Sequence, residues 1–369
     1  MEISIYDLLK DPIFNTPTEY DGDFLPHVEK ILTQYLTKLK SVSAITGKGN
    51  GNSISGENMS LVISRQEKFI NGLIKTIELY LDGQPALAYI LLYNTLNIDN
   101  KEQPGIRWRV TFYAPLYRAR VSNETELFMN ELFHISFAKR GLVKNQRFSI
   151  AGTPSLYLSN NLYTCWKELG CPNLNSLHYV QMHHVPEAPV RFLNLIWDID
   201  AYSLDHLNWF NSLMKWPLIA LCTIKVKNPS DNFKPEYILP QLLLQWVRNH
   251  SSFDGIAYDS THIDKNNTPQ KGAFTNVVLP AKESKSSGYC LNLASRLQST
   301  KPLSAGKILL DENNFINQDL KLNTSSSTII VESEIEPGAY ITYDDSVISK
   351  LEGYSYKFSG KKVEELLVQ

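Results

Sequence analysis

The sequence predicts an α+β protein in which a small helical N-terminal domain precedes a larger domain of mixed strands and helices. Three observations predict it. Apolar side chains recur every three to four residues in the first hundred positions, the period falls to two at Ile106, and short strand-like segments are then interspersed with helical ones. At 369 residues the chain is long enough for more than one packed unit.

Val28, Ile31, Leu32, Tyr35, Leu36 and Leu39 fall at the spacing of a helix with one buried stripe, which predicts a helix over residues 26–40. From Ser41 to Ser60, Gly47, Gly49, Gly51 and Gly56 stand among small polar residues, so residues 41–60 read as a flexible loop. Phe69, Leu73, Ile77 and Leu81 predict a second helix, with Gly83 after Asp82 placed to cap it, and Pro85 to Leu96 reads as a third. These elements make a helical domain over 1–100. Its charged faces read as solvated surface, and its residues do not choose between a regulatory cover, an oligomerisation surface and a sensor.

Beyond residue 100, Ile106, Trp108, Val110 and Phe112 alternate with Arg107, Arg109 and Thr111 as in a half-buried strand. Further strands are expected at 116–121, 155–158, 218–226, 255–260, 275–279, 328–331 and 339–343, with helices at 162–169 and 240–249. The main domain is placed at 106–282, and 283–369 reads as a C-terminal extension whose short strands pack on it.

Composition excludes several classes. Hydrophobic residues make up 43% and charged residues 20%, as in an ordinary globular protein. A net charge of -2 supplies no excess of cations to neutralise a phosphate backbone, so nucleic acid is not an expected partner. Cys165, Cys171, Cys222 and Cys290 show no CxxC pairing and read as free thiols of a reducing compartment. No basic, then apolar, leader opens the chain and no apolar run reaches the ~20 residues needed to span a bilayer, so a cytoplasmic protein without a membrane partner is expected. The stretch from Gly47 to Gly51 lacks a preceding strand and a following GK[ST], which argues against a phosphate loop. His183, His184 and His262 lack acidic or cysteine partners at ligand spacing, so no metal is expected, and Asp198 and Asp200 read as surface acids.

The most informative stretch runs from Arg147 to Glu168. Gly152-Thr153-Pro154 turns the chain into a strand closed by Tyr157, and Ser159-Asn160-Asn161 offers N-caps for a helix with Leu162, Cys165, Trp166 and Leu169 on its apolar stripe. At about 100° per residue, Glu168 lies about 60° beyond the edge of that stripe, where its carboxylate can border a cleft. Periodicity alone favours the plainer reading, an exposed helix glutamate.

Tyr117-Arg118 on a strand, Arg147-Phe148 before Gly152-Thr153-Pro154, and Tyr157 with Glu168 eleven positions later resemble the opening signature of the RES domain. Residues 255–260, ending in Ser260, and 275–280, containing Asn276, resemble its later serine-bearing strand and its closing strand. The resemblance spans roughly 106–282, with a longer stretch between Glu168 and Ser260 than compact members have. Ser149 stands where many relatives carry asparagine. Arg118 is the preferred match to the family arginine because Tyr117 precedes it, and Arg120 is the alternative.

The resemblance implies an ADP-ribosyltransferase-like mixed sheet and an enzyme that consumes NAD+ as substrate rather than cofactor, several family members being toxins with a separate antitoxin. It implies cleavage of the nicotinamide–ribose bond by water or phosphate, or transfer of ADP-ribose to a protein. The chemistry suits these residue types, since breaking that bond develops positive charge on the sugar, which a carboxylate such as Glu168 stabilises. Arg118 and Arg147 would fork onto pyrophosphate or ribose oxygens, Tyr157 would stack on nicotinamide and Ser260 would hydrogen-bond the ribose or carboxamide. Tyr117, Ser149 and Asn276 would line the NAD+ site. An antitoxin or other regulatory protein is the partner so implied, while a second copy of the chain in a homo-oligomer is a partner that the sequence leaves open. The reading of a different class is a non-catalytic interaction module that binds a partner through its N-terminal helices.

Overall fold

The computed structural model describes residues 5–42, 59–97, 108–197, 206–263, 273–311 and 329–368. The glycine-rich part of the expected loop, the start of the expected strand at Ile106, and Asp198 and Asp200 lie outside the described residues. In chain order the longer helices are α1 (Phe24–Lys40), α2 (Met59–Leu81), α3 (Pro85–Leu96), α4 (Leu162–Glu168), α5 (His206–Cys222), α6 (Ile238–Asn249) and α7 (Val347–Ser355). The main strands are β1 (Leu116–Val121), β2 (Ser155–Ser159), β3 (Leu177–His184), β4 (Gly255–Asp259), β5 (Thr275–Pro280) and β6 (Leu297–Ser299). The protein is α+β. All four cysteines are free, and among the described residues no helix is long and apolar enough to cross a membrane.

The chain divides into two compact units, one of residues 1–109, 146–149 and 193–252, the other of 110–145, 150–192 and 253–369. The first is helical. The stripe foreseen on α1 is buried at Val28, Ile31, Leu32, Tyr35 and Leu39, and that on α2 at Leu73 and Ile77. The strand expected at 218–226 is absent, because Leu218 to Cys222 form the last turns of α5. Its apolar, partly β-branched run is too short for periodicity to separate a buried strand from a buried helix. The residues from Trp216 to Cys222, including Leu218, Ile219 and Ala220, are all buried. Pro217 inside α5 has no N–H for the carbonyl four residues back, and that carbonyl, Leu213 O, accepts the Tyr35 hydroxyl at 2.7 Å instead.

In the second unit an antiparallel sheet runs β4-β5-β2-β1-β3-β6. Between Arg109 and Phe112 only Arg109–Val110 is strand, and the Phe112 ring instead packs edge-on to Phe192 with centroids 5.6 Å apart. Pairing is uneven across the middle of the sheet. β1 is paired with β3 from Leu116↔Met182 through to Val121↔Leu177, but with β2 only at Tyr117↔Ser159. Beyond that one pair β1 and β2 part. One face of the sheet, including Tyr117 and Tyr179, packs under Leu162, Cys165 and Trp166 of α4 and Ile348 and Leu351 of α7. The C-terminal strands expected at 328–331 and 339–343 are Ile330–Glu332 and Tyr340–Thr342, which among the described residues pair only with each other.

Candidate active site

α4 is held at both ends. Asn161 caps its start, accepting from the Thr164 N–H at 2.8 Å and the Thr164 hydroxyl at 2.7 Å. Asn160 and Asn161 both donate to the Ala273 carbonyl, at 2.9 and 2.8 Å, and Asn160 Oδ1 accepts the Thr275 N–H, so the helix start is tied to the start of β5. The Leu162 N–H donates to the buried carboxyl of Glu352 on α7. At the other end Gly170 takes a left-handed φ of 80°, the Gly170 N–H bonds Lys167 O at 3.0 Å and the Cys171 N–H bonds Trp166 O at 3.0 Å. This paired closure stops the helix just after Glu168. Lys167 turns aside to an ion pair with Glu332 at 2.5 Å.

Glu168 is thereby presented to the ends of β4 and β5. Its Oε1 accepts from Ser260 Oγ at 2.7 Å and from Asn276 Nδ2 at 2.6 Å. Asn276 is oriented by Ser159, whose hydroxyl donates to Asn276 Oδ1 at 2.6 Å across the β2–β5 register pair. Ser260 is fixed by its own N–H on Phe274 O at 2.9 Å. Ser159, Ser260 and Asn276 are buried, whereas the Glu168 side chain is about one-third exposed (32%). One carboxylate oxygen is therefore pinned by two donors. The other, Oε2, has His262 Nε2 3.6 Å away.

Arg118 lies at the split between β1 and β2. Its Nη1 donates to the Tyr157 carbonyl at 3.0 Å, reaching the backbone of β2 where the two strands no longer pair. Its Nε is buried with no hydrogen-bond partner among the described residues, and burial pulls the guanidinium down to about 10, still charged at neutral pH. A half-buried cation with no ion pair to a carboxylate among the described residues is costly in isolation, and an anion bound at the split would offset that cost. Arg120, the alternative, is half exposed, donates to the Glu131 carbonyl at 2.9 Å and lies 4.0 Å from the Glu131 carboxylate.

The other residues singled out by sequence are distributed as follows. Tyr157 is half-buried on β2, opposite Val278. The Tyr117 ring is in the core, 2% exposed, with its hydroxyl 3.4 Å from Gln181 Nε2. Arg147 and Ser149 belong to the helical unit, where Arg147 bonds Cys222 O at 3.1 Å and lies over the Tyr237 ring, while Ser149 closes a turn on Gln146 O at 2.9 Å. The structure thus gathers Glu168, Ser260 and Asn276, and Arg118 forms no ion pair with Glu168. Sequence reasoning missed Ser159, His262 and Glu352. Ser159 and His262 carry a signal in the sequence, Ser159 as a candidate cap of the helix and His262 by its place two residues after Ser260, where it is weighed only as a metal ligand and set aside. Among the described residues no group of three or more His, Cys, Asp or Glu side chains is arranged to hold a metal ion.

Fold and site together define an α+β protein whose larger unit presents a pinned glutamate beside a split antiparallel sheet. No family model and no solved structure matches the chain. Over 312 residues it is 33% identical to a protein of Bacillus subtilis (strain 168) named "Putative toxin YopC", the match covering 78% of this chain and 68% of that one. The chain belongs to the family of that protein.

Proposed function

We propose that the protein is an NAD+-consuming toxin of the RES type that breaks the bond between nicotinamide and ribose. The observation that carries the reading is the meeting of Ser260 and Asn276, 92 and 108 residues along the chain from Glu168, on one oxygen of its carboxylate. Their order along the chain is that of the RES signature, and the relative's name supports a toxic role. The two donors hold Glu168 in one orientation, so the negative charge is in place before the sugar becomes cationic. Such pre-organised charge is the largest single contribution in many enzymes. Arg118, half-buried and without an anion among the described residues, suits the pyrophosphate. Tyr157, half-buried beside Arg118, suits the nicotinamide ring. The function calls for no cofactor and no metal, and an antitoxin that covers Glu168 would suffice to silence it.

The test is to incubate the protein with NAD+ labelled in the adenylate half and to follow both nicotinamide and label. Wild type releases nicotinamide and leaves the label in small molecules, while Glu168→Gln, which keeps the acceptor for Ser260 and Asn276 but removes the charge, loses at least a hundredfold in rate. Label on protein would assign a transferase instead. Intact NAD+ with wild-type protein would leave the interaction module standing.

A further inference from the structure

We infer that His262 is a further catalytic residue of this site, the group that takes the proton from the acceptor attacking the ribose. The inference rests on the NAD+ reading and deepens it by dividing two tasks between two side chains. Three observations lead to it. The turn after β4 is closed by the His262 N–H donating to Ser260 Oγ at 3.2 Å, the same hydroxyl that donates to Glu168 at 2.7 Å. That bond fixes the backbone of residue 262 to the carboxylate's own anchor. The imidazole Nε2 then stands 3.6 Å from Oε2, the carboxylate oxygen that Ser260 and Asn276 leave untouched, and the side chain is 59% exposed. Finally, 3.6 Å is too long for a direct hydrogen bond, so a hydroxyl can lie against both groups.

Glu168 is poorly suited to act alone as base. Oε1 is already occupied by two donors, which hold the carboxylate as a fixed charge beside the sugar rather than leave it free to turn towards the acceptor's proton. A histidine is the side chain whose unperturbed chemistry exchanges protons near neutrality. In the step, a water oxygen forms a bond to the anomeric carbon as the carbon–nitrogen bond breaks. The bonding pair leaves with the nicotinamide nitrogen, and the water's proton passes to His262 Nε2 and then to solvent, giving ADP-ribose and nicotinamide.

The experiment compares wild type, His262→Ala, His262→Gln and Glu168→Gln for nicotinamide release, with and without added imidazole. His262 is exposed, so its variants fold. Both His262 variants should lose roughly 10- to 100-fold in kcat with KM for NAD+ within about twofold, the low end of what a positioned base contributes. Imidazole should restore His262→Ala in proportion to its concentration and leave Glu168→Gln inactive. A merely structural role would not give that rescue. If Glu168→Gln is inactive while the His262 variants turn over like wild type, or lose rate without rescue, the NAD+ reading stands and this inference falls. If wild type releases no nicotinamide, both fall.

Discussion

Replacing Glu352 by glutamine tests how the C-terminal extension supports α4. Glu352 is 7% exposed and accepts the Leu162 N–H at the start of the helix that ends in Glu168. Around it stand Tyr117 on β1, Cys165 on α4, Tyr179 on β3, Tyr343 and Tyr356, none of them a cation. Burial pushes its carboxyl up from 4.5 to about 7, against the smaller opposing pull of the Leu162 N–H bond and the nearby Tyr343 hydroxyl. Below pH 4.5 the group is neutral folded or unfolded, and it costs nothing. Between 4.5 and about 7 the unfolded chain releases the proton while the folded one keeps it, so stability falls as pH rises, and above about 7 the loss is complete. A shift of this size amounts to on the order of 3 kcal/mol. Glu352→Gln keeps a carbonyl acceptor for Leu162 and cannot ionise. Urea unfolding of both proteins from pH 4.5 to 8.5 should give matching stabilities at the acid end and a glutamine variant more stable by about 3 kcal/mol at pH 8, since other titrating groups cancel in the difference. A difference that is flat with pH, or that favours wild type as pH rises, would refute the reasoning.

Three further outcomes are expected. Asn161→Ala removes the cap of α4 and should cost about 1 kcal/mol, read as a fall of roughly 2–4 °C in the melting of the unit that carries it. Gly255→Ala places a Cβ 2.2 Å from the Val278 carbonyl oxygen, a backbone atom that cannot swing away, so β4 must shift from β5. A loss of at least 1–3 kcal/mol by chemical denaturation is expected. Arg118→Lys keeps charge but loses the fork, so KM for NAD+ should rise about tenfold in steady-state assays while the melting temperature changes little.

Much of the helical unit was legible because amphipathic stripes such as Val28-Ile31-Tyr35 record which side of a helix is buried. The caps of α4 were legible too, because asparagine before an apolar run has a local mechanism that tertiary context seldom overrides. What failed did so for want of periodicity. The run from Leu218 to Cys222 is apolar on every side and gave no sign of the helix it continues, and β3 was passed over because His178 and Gln181 break its apolar run, though both are buried. At the site, Glu168 alone looked like a surface glutamate, and only its place in an ordered motif singled it out. Glu352 carried no signal at all, since its partner Leu162 lies 190 residues away. Arg147 and Ser149 belong to the motif in sequence yet fold with the helical unit, which no local pattern discloses.

A crystal structure of Glu168→Gln soaked with NAD+ tests the central claim most directly. The account predicts intact dinucleotide with its nicotinamide ribose against residue 168 on the side of His262 and its pyrophosphate on the Arg118 guanidinium. Dinucleotide bound elsewhere, with residue 168 and Arg118 both untouched, would contradict it.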